Sequence, residues 1–302
     1  FSAPCVLFRA GVAERVRFEN PQRSEGFRTF PGAHVCAGTF VVAKPHNVVR
    51  ERIRGVAEKG AELPLHQGVP NLDLFPIEVW RRLQEKRWRK LPDNALGYGD
   101  AAGWPGLRLL LAQRLAATRG LKCDVGQVFI VSSAAAALRL ACLALHARGS
   151  KVWVEDPGYK RTFSTLGLAG AEIVPIGVDE QGLVVERGRE FAPFAQLAVV
   201  TPAAQFPTGA PMSKQRRRAL LDWAESAGAW IIEDDYDADF AFEREAPPAL
   251  ASERRNARVL HVSTLNSLMF PALQIAAIAV PEALVSRFQA TLHALQGSTN
   301  TP

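Results

Sequence analysis

From residue 128 onward the sequence alternates between short, wholly apolar runs and stretches whose apolar side chains recur at helical spacing. The runs are "VFIV" (128–131), "KVWV" (151–154), "AEIVPI" (171–176), "LAVV" (197–200), "AWII" (229–232), "RVLHV" (258–262) and "QIAAIAV" (274–280). Apolar residues at consecutive positions over so short a length are the mark of strands buried on both faces. Between them lie helical stretches such as Ala134 to Arg148 and Ser213 to Gly228, the latter opened by a serine cap and closed by glycine. Ahead of them "LRLLLAQRLAATRG" places Leu107, Leu110, Leu111 and Leu115 on one face and stops at Gly120. The pattern predicts an α/β chain, a three-layer α/β/α sandwich around a mostly parallel seven-stranded sheet. Ligands of such sheets bind beyond the carboxyl ends of the strands, so the polar loops there are where chemistry is sought.

Composition narrows the class. With 302 residues, 48% of them apolar, the chain can bury a sizeable core, and its length suggests about two domains. No run of 18 uncharged apolar residues exists and no secretory leader is visible, so no membrane association and a cytoplasmic location are expected. Cys5, Cys36, Cys123 and Cys142 form no CxxC pair, which argues for reduced, structural thiols. The net charge of +6 is uneven: residues 1–125 carry 20 Lys/Arg against 12 Asp/Glu, and the remainder 16 against 18. A basic front raises the prospect of nucleic acid, since Lys and Arg gain affinity by displacing counterions from phosphates. Its densest part, "WRRLQEKRWRK" (80–90), equally suits an amphipathic helix lying on the core through Trp80, Leu83 and Arg87.

Four loops can carry chemistry. "VSSAAAAL" sets Ser132 and Ser133 at a helix start, an anion site or a plain serine cap. "EDPGY" (155–159) ends an acidic turn in an aromatic. "VTPAAQFPTGAPMS" (200–213) joins strand to helix. "IIEDDYDADF" (231–240) ends a buried strand in Glu233, Asp234, Asp235, Asp237 and Asp239, oxygen ligands that would suit magnesium or calcium. No GxxxxGK[ST] loop accompanies them, and no metal is expected.

In order, "LGYGDAAGWPGLR", "VWVEDPGY", "VTPAAQFPTGAPMS", "WIIEDDYDADF" and "FPAL" resemble the aminotransferase-like domain of the MocR family, GntR-type regulators that fuse a winged helix to a fold-type I domain binding pyridoxal 5'-phosphate (PLP). The resemblance covers about residues 64–290. Upstream, "FENPQRSEGFRTFPGAHVCAGTFVVA" (18–43) resembles the end of the winged helix, with extra residues "AHVC" in the wing and the recognition helix shortened or missing. The implied domains are a residual wing over 1–43, a linker over 44–66 and the aminotransferase-like large domain over 67–302. The smaller C-terminal domain, which supplies an arginine for a substrate carboxylate, would then be missing beyond Pro302.

The resemblance implies roles residue by residue. Asp234 matches the carboxylate that pairs with the PLP ring nitrogen, Tyr236 the tyrosine near the ring hydroxyl, and Tyr159 the aromatic stacked on the ring. Ser132 and Ser133 fall on the phosphate loop, Thr264 on the phosphate side, and Tyr98 on the aromatic that reaches the phosphate from a partner subunit. Against "GTFSKTLFPALRLG", the stretch "STLNSLMFPALQIA" puts Ser267 on the Schiff-base lysine, Asn266 on the preceding serine and Gln274 on the phosphate arginine. A hydroxyl cannot form an imine, and a neutral amide cannot replace a bidentate guanidinium on a dianion. PLP is therefore expected to be held weakly, non-covalently or not at all, without transamination, since the lysine is also the proton-moving base. The expected partners are a second copy of the chain and an amino acid or PLP-like effector, with DNA contact doubtful for want of a full winged helix. The reading is thus a catalytically inactive fragment of a MocR/GntR-type transcriptional regulator. The alternatives are a working PLP-dependent aminotransferase and a non-catalytic interaction module or decayed gene product.

Overall fold

The structure, a computed structural model, describes residues 70–240 and 246–296. The wing and the linker expected over 1–66 lie outside the described residues. All seven expected strands are present: β1 (Val128–Val131), β2 (Lys151–Asp156), β3 (Glu172–Asp179), then β5 (Leu197–Val200), β6 (Trp230–Asp235), β7 (Val259–Thr264) and β8 (Ala276–Ala279). The sheet has eight strands rather than seven, because two residues, Gly182–Leu183, fold back as β4 on the end of β3. So short an edge strand has no apolar run to announce it.

The order is β1-β8-β7-β6-β5-β2-β3-β4, with β7, β6, β5, β2 and β3 parallel and β8 antiparallel to both β7 and β1. Alternation splits each strand between two cores. Phe129, Val152, Val154, Val199, Ile232, Leu260 and Ile278 face one way. There they pack under three helices, α3 (Ala134–Ala144), α4 (Lys160–Leu168) and α7 (Val285–Gln296). Trp153, Ala198, Val200, Ile231 and Val259 face the other way, against α5 (Val185–Phe191) and α6 (Lys214–Ala227). At the β1–β8 end that second face is covered by α2 (Pro105–Arg119).

Local chemistry sets the helix ends. The Ser133 and Ser213 side chains cap α3 and α6 by accepting from the N–H groups of Ala136 and Arg216. Gly120 and Gly228 end α2 and α6 in the left-handed conformation, at φ 66° and 65°. The helix expected to reach Arg148 ends at Ala144.

The buried face of α2 departs from expectation. It consists of Arg108, Leu111, Ala112, Leu115 and Arg119, with Leu107 half-buried, while Leu110 is exposed. Two buried arginines took the place assigned to leucine because each has partners inside: Arg108 donates to the carbonyls of Val128 and Val125 and pairs with Asp100. Near the start of the described chain, α1 (Ile77–Arg89) forms as predicted, yet none of its residues is buried. Leu83 is exposed, whereas Trp80 stacks edge-on with Phe75 and Phe270 and Arg87 lies over the Trp104 ring. Burial pushes the thiol of Cys142 up to about 12, and burial with nearby Asp124 pushes Cys123 up to about 11, in keeping with inert structural cysteines. No described helix is long and apolar enough to cross a membrane.

Candidate functional site

At the carboxyl end of β6 the strand's own alternation separates the acidic cluster. Asp234 falls on the face of Ile232, under α3 and α4, and lines a cleft of about 320 Å³ including its open mouth. Ala134 and Ala135 of α3 and Tyr159, Arg161 and Thr162 at the start of α4 line it as well. Asp234 is half-buried as a residue, but its Oδ1 is sealed from solvent and has no hydrogen-bond partner. Burial, with the charges of Asp235, Glu155 and Asp237, pushes its carboxyl up to about 7, against a smaller opposing pull from His261.

Glu233 and Asp235 turn to the opposite face, where both are buried. Glu233 accepts from the Leu250 N–H at 2.8 Å and lies 3.0 Å from His261 Nδ1. His261 Nε2 stands 3.4 Å from Asp235 Oδ2, a charge contact without a hydrogen bond. Asp235 in turn takes a forked pair from Arg119 at 2.6 and 3.2 Å. Burial alone would push Glu233 up and His261 down. Their mutual attraction outweighs it, so Glu233 sits below the usual carboxylate value and His261 above the usual imidazole value. The result is a buried chain of alternating charge that fastens β6 to β7 and to α2. Asp239 is engaged by Arg114 at 2.5 Å. Among the described residues no group of three or more His, Cys, Asp or Glu side chains is placed to hold a metal.

From Tyr159, which lines the cleft, a row of aromatic rings runs away along the neighbouring loops. The Tyr159 ring meets Phe206 edge-on at 5.4 Å, and Phe206 meets Tyr236 at 6.0 Å. Behind that row Glu155 accepts from the N–H and hydroxyl of Thr201, at 3.1 and 2.5 Å, and from Gln205 Nε2 at 3.2 Å. Gln205 also donates to the Pro157 and Phe206 carbonyls, tying the 157–159 loop to the 201–213 loop. Burial raises the Glu155 carboxyl, and these three donors oppose the rise. Burial, then Asp237, Asp234 and Glu155, raise the Tyr236 phenol as well.

Of the predicted residues Asp234 and Tyr159 line this cleft, whereas Ser132, Ser133, Tyr236, Thr264 and Ser267 are not among its lining residues. Ser267 donates to the Tyr236 carbonyl at 3.4 Å, which sets position 267 beside the end of β6. Thr264 Oγ1 accepts the Asn266 N–H, and Asn266 Oδ1 accepts the Ile275 N–H, so both shape the loop between β7 and β8. The Ser133 oxygen is spent on capping α3, while Ser132 is exposed. Gln274 is exposed and left-handed at φ 50°, and Tyr98 is wholly exposed; neither lines the cleft. No lysine lines it either. Sequence reasoning missed Arg161, the Glu155–Thr201–Gln205 knot and the Glu233–His261–Asp235 chain. Strand alternation already separates 233 and 235 from 234; nothing comparable marks Arg161.

The family model for "Aminotransferase class I and II" matches residues 63–302. The "Probable rhizopine catabolism regulatory protein MocR" of Rhizobium meliloti is 35% identical over 227 residues, 75% of this chain and 46% of that protein. The chain thus spans about half the length of the curated relatives it matches. Among solved structures, an archaeal alanine:glyoxylate aminotransferase superposes with a TM-score of 0.72 at 26% identity, over 85% of this chain and 64% of that one. The kynurenine aminotransferase of Pyrococcus horikoshii, solved in complex with PMP, gives 0.73 at 21% identity, over 86% and 65%.

Proposed function

The chain belongs to the aminotransferase class I and II family and is related to MocR-type regulators, and on that premise we propose that residues 70–296 are the ligand-sensing part of such a regulator. In this reading the cleft beside Asp234 takes a vitamin B6-type ring without a covalent bond and without transamination. The carrying observation is the orphaned, sealed Oδ1 of Asp234 in a cleft that contains Tyr159 but no lysine.

The residues present fit one end of PLP well. Rotation of the Asp234 carboxyl toward the cleft would let it accept from a protonated ring nitrogen, and the ion pair would draw the raised carboxyl back toward its ionised form. PLP supplies an electron-withdrawing ring when bound. Tyr159, held by the Glu155–Gln205 knot, would cover the ring face, and Asp234 would orient the nitrogen. By the resemblance, the opposite, aldehyde-bearing end would meet a hydroxyl at Ser267 rather than an amine. The N-terminus of α3 with exposed Ser132 offers donors to a phosphate, and Gln274 adds no charge there.

Titration of the purified chain with PLP tests the reading. Saturable binding is expected, abolished in Asp234→Asn, with no stoichiometric borohydride-reducible adduct and no amino transfer between amino acids and keto acids. Turnover, or a mapped lysine adduct at full occupancy, would overturn it. Low-level labelling of exposed Lys160 counts as nonspecific.

A further inference from the structure

We propose that α1 is a releasable arm: an aromatic clasp on Phe270 holds it to the body, and the β7–β8 loop that carries Phe270 governs whether it is docked or free. The proposal stands apart from the B6 reading, and its test needs no ligand.

Few groups hold α1. None of its residues is buried, so little apolar area leaves water when it docks. Its polar side chains turn on the helix itself: Arg81 pairs with Glu78 and Glu85, and Arg82 donates to the Glu78 carbonyl. Two ring contacts join the helix to the body. Trp80 meets Phe270 edge-on at 5.7 Å, and Arg87 lies over the Trp104 ring at 4.6 Å. Trp80 and Arg87 are two helical turns apart and therefore share a face. Phe75, just ahead of the helix, closes the clasp. Its ring meets Phe270 at 4.8 Å and Trp80 at 6.3 Å, in the edge-to-face geometry that favours aromatic pairs. An element docked without a buried residue opens more readily than the sheet beneath it.

The body side of the clasp is a loop shaped by its own hydrogen bonds. Thr264 Oγ1 accepts the Asn266 N–H, Asn266 Oδ1 accepts the Ile275 N–H, and the Ile275 carbonyl accepts the Leu265 N–H. Phe270 stands midway along this loop, immediately before the turn Pro271–Leu273. On its other side the loop touches the end of β6, where Ser267 Oγ donates to the Tyr236 carbonyl at 3.4 Å. One loop thus contacts both the carboxyl end of a central strand and the arm. A change in its shape moves the Phe270 ring, and α1 has no buried residue to keep it in place once that ring has moved.

Amide exchange of the full chain, read by mass spectrometry over 77–89, 265–275 and strands β5 and β6, tests the proposal. Two protein concentrations separate docking from protection by self-association. In the wild-type chain 77–89 should exchange at least about tenfold faster than β5 and β6. Phe270→Ala should speed exchange in 77–89 by about tenfold more, the loss of two ring contacts, and leave β5 and β6 unchanged. Phe270→Leu, which keeps an apolar side chain but no ring, should give a smaller rise and decides the matter if the alanine variant loosens the sheet. Asn266→Ala removes a side chain that bonds within the loop, and should speed exchange in 77–89 about threefold or more. The proposal is overturned if wild-type 77–89 is as protected as the sheet, if neither Phe270 variant alters its exchange, or if Asn266→Ala leaves 77–89 unchanged.

Discussion

Asp234 is a side chain whose burial costs the chain stability. Its carboxyl is raised from an ordinary value of 3.8 to about 7, so the folded state holds a proton that the unfolded state has lost. Stability from this group is complete below about pH 4 and declines as pH rises through 7. Asp234→Asn should therefore stabilise the chain increasingly as pH rises from about 4 to about 7 and by a constant amount above that, on the order of 1–3 kcal/mol, while it abolishes the proposed ligand binding; denaturant unfolding at about pH 4 and at about pH 8.5 would show a gain confined largely to the higher pH. Across the strand, Glu233 and His261 behave oppositely. Glu233 is lowered, so its contribution is present above its ordinary 4.5 and lost as pH falls through the lower folded value. His261 is raised, so its contribution is complete below 6.5 and lost as pH rises through the higher folded value. Glu233→Gln leaves a buried imidazolium with half its compensation and should cost on the order of 3 kcal/mol near neutrality, read from the same unfolding curves, with the acid limb of the wild-type profile flattened.

At the scale of elements, the parallel strands were legible because burial on both faces demands unbroken apolar runs, and α6 because its serine and glycine caps are local signals. The inward face of α2 was not legible. A helix wheel assigns leucine to the core, but Arg108 and Arg119 win those positions by reaching acceptors on other strands, the Val128 carbonyl at the start of β1 and Asp235 at the end of β6. The contact of α5 with the sheet is equally invisible in one dimension: a Cβ on Gly188 would lie 2.6 Å from the Trp153 ring, which itself stacks on Trp223 at 3.7 Å. Gly188→Ala improves helix propensity and should nevertheless destabilise by roughly 1–3 kcal/mol through overpacking, seen as a lower Tm and a perturbed tryptophan near-ultraviolet dichroism.

At the scale of the whole molecule, the helix α1 is the feature that the described residues leave unburied. Ile77 and Leu83 on it, with Leu74 before it and Leu96 and Tyr98 after it, are all more than half exposed. An apolar surface of this extent is expected to meet a second copy of the chain, which would also carry Tyr98 toward a neighbouring site. Sedimentation should show a dimer that Ile77→Asp with Leu83→Asp converts to monomer, with unfolding of the monomer little changed because neither side chain is buried. A wild-type chain that is monomeric at all concentrations would end this assignment. Any DNA affinity from the basic residues 1–125 should fall steeply with salt and hardly depend on sequence, as filter binding at two ionic strengths would report.

The sequence by itself determined the layer architecture, the strand positions and the family. Each of these is a local pattern, an apolar run, a cap or a motif, whose physical cause acts over a few residues. Tertiary structure alone decided that Asp234 Oδ1 is orphaned while Asp235 is paired, that Arg161 enters the cleft while Gln274 stays outside it, and that, among the described residues, no residue of α1 is buried. Those outcomes depend on which distant groups come within hydrogen-bond reach once the sheet has closed, and desolvation acts on a side chain only after its neighbours are in place.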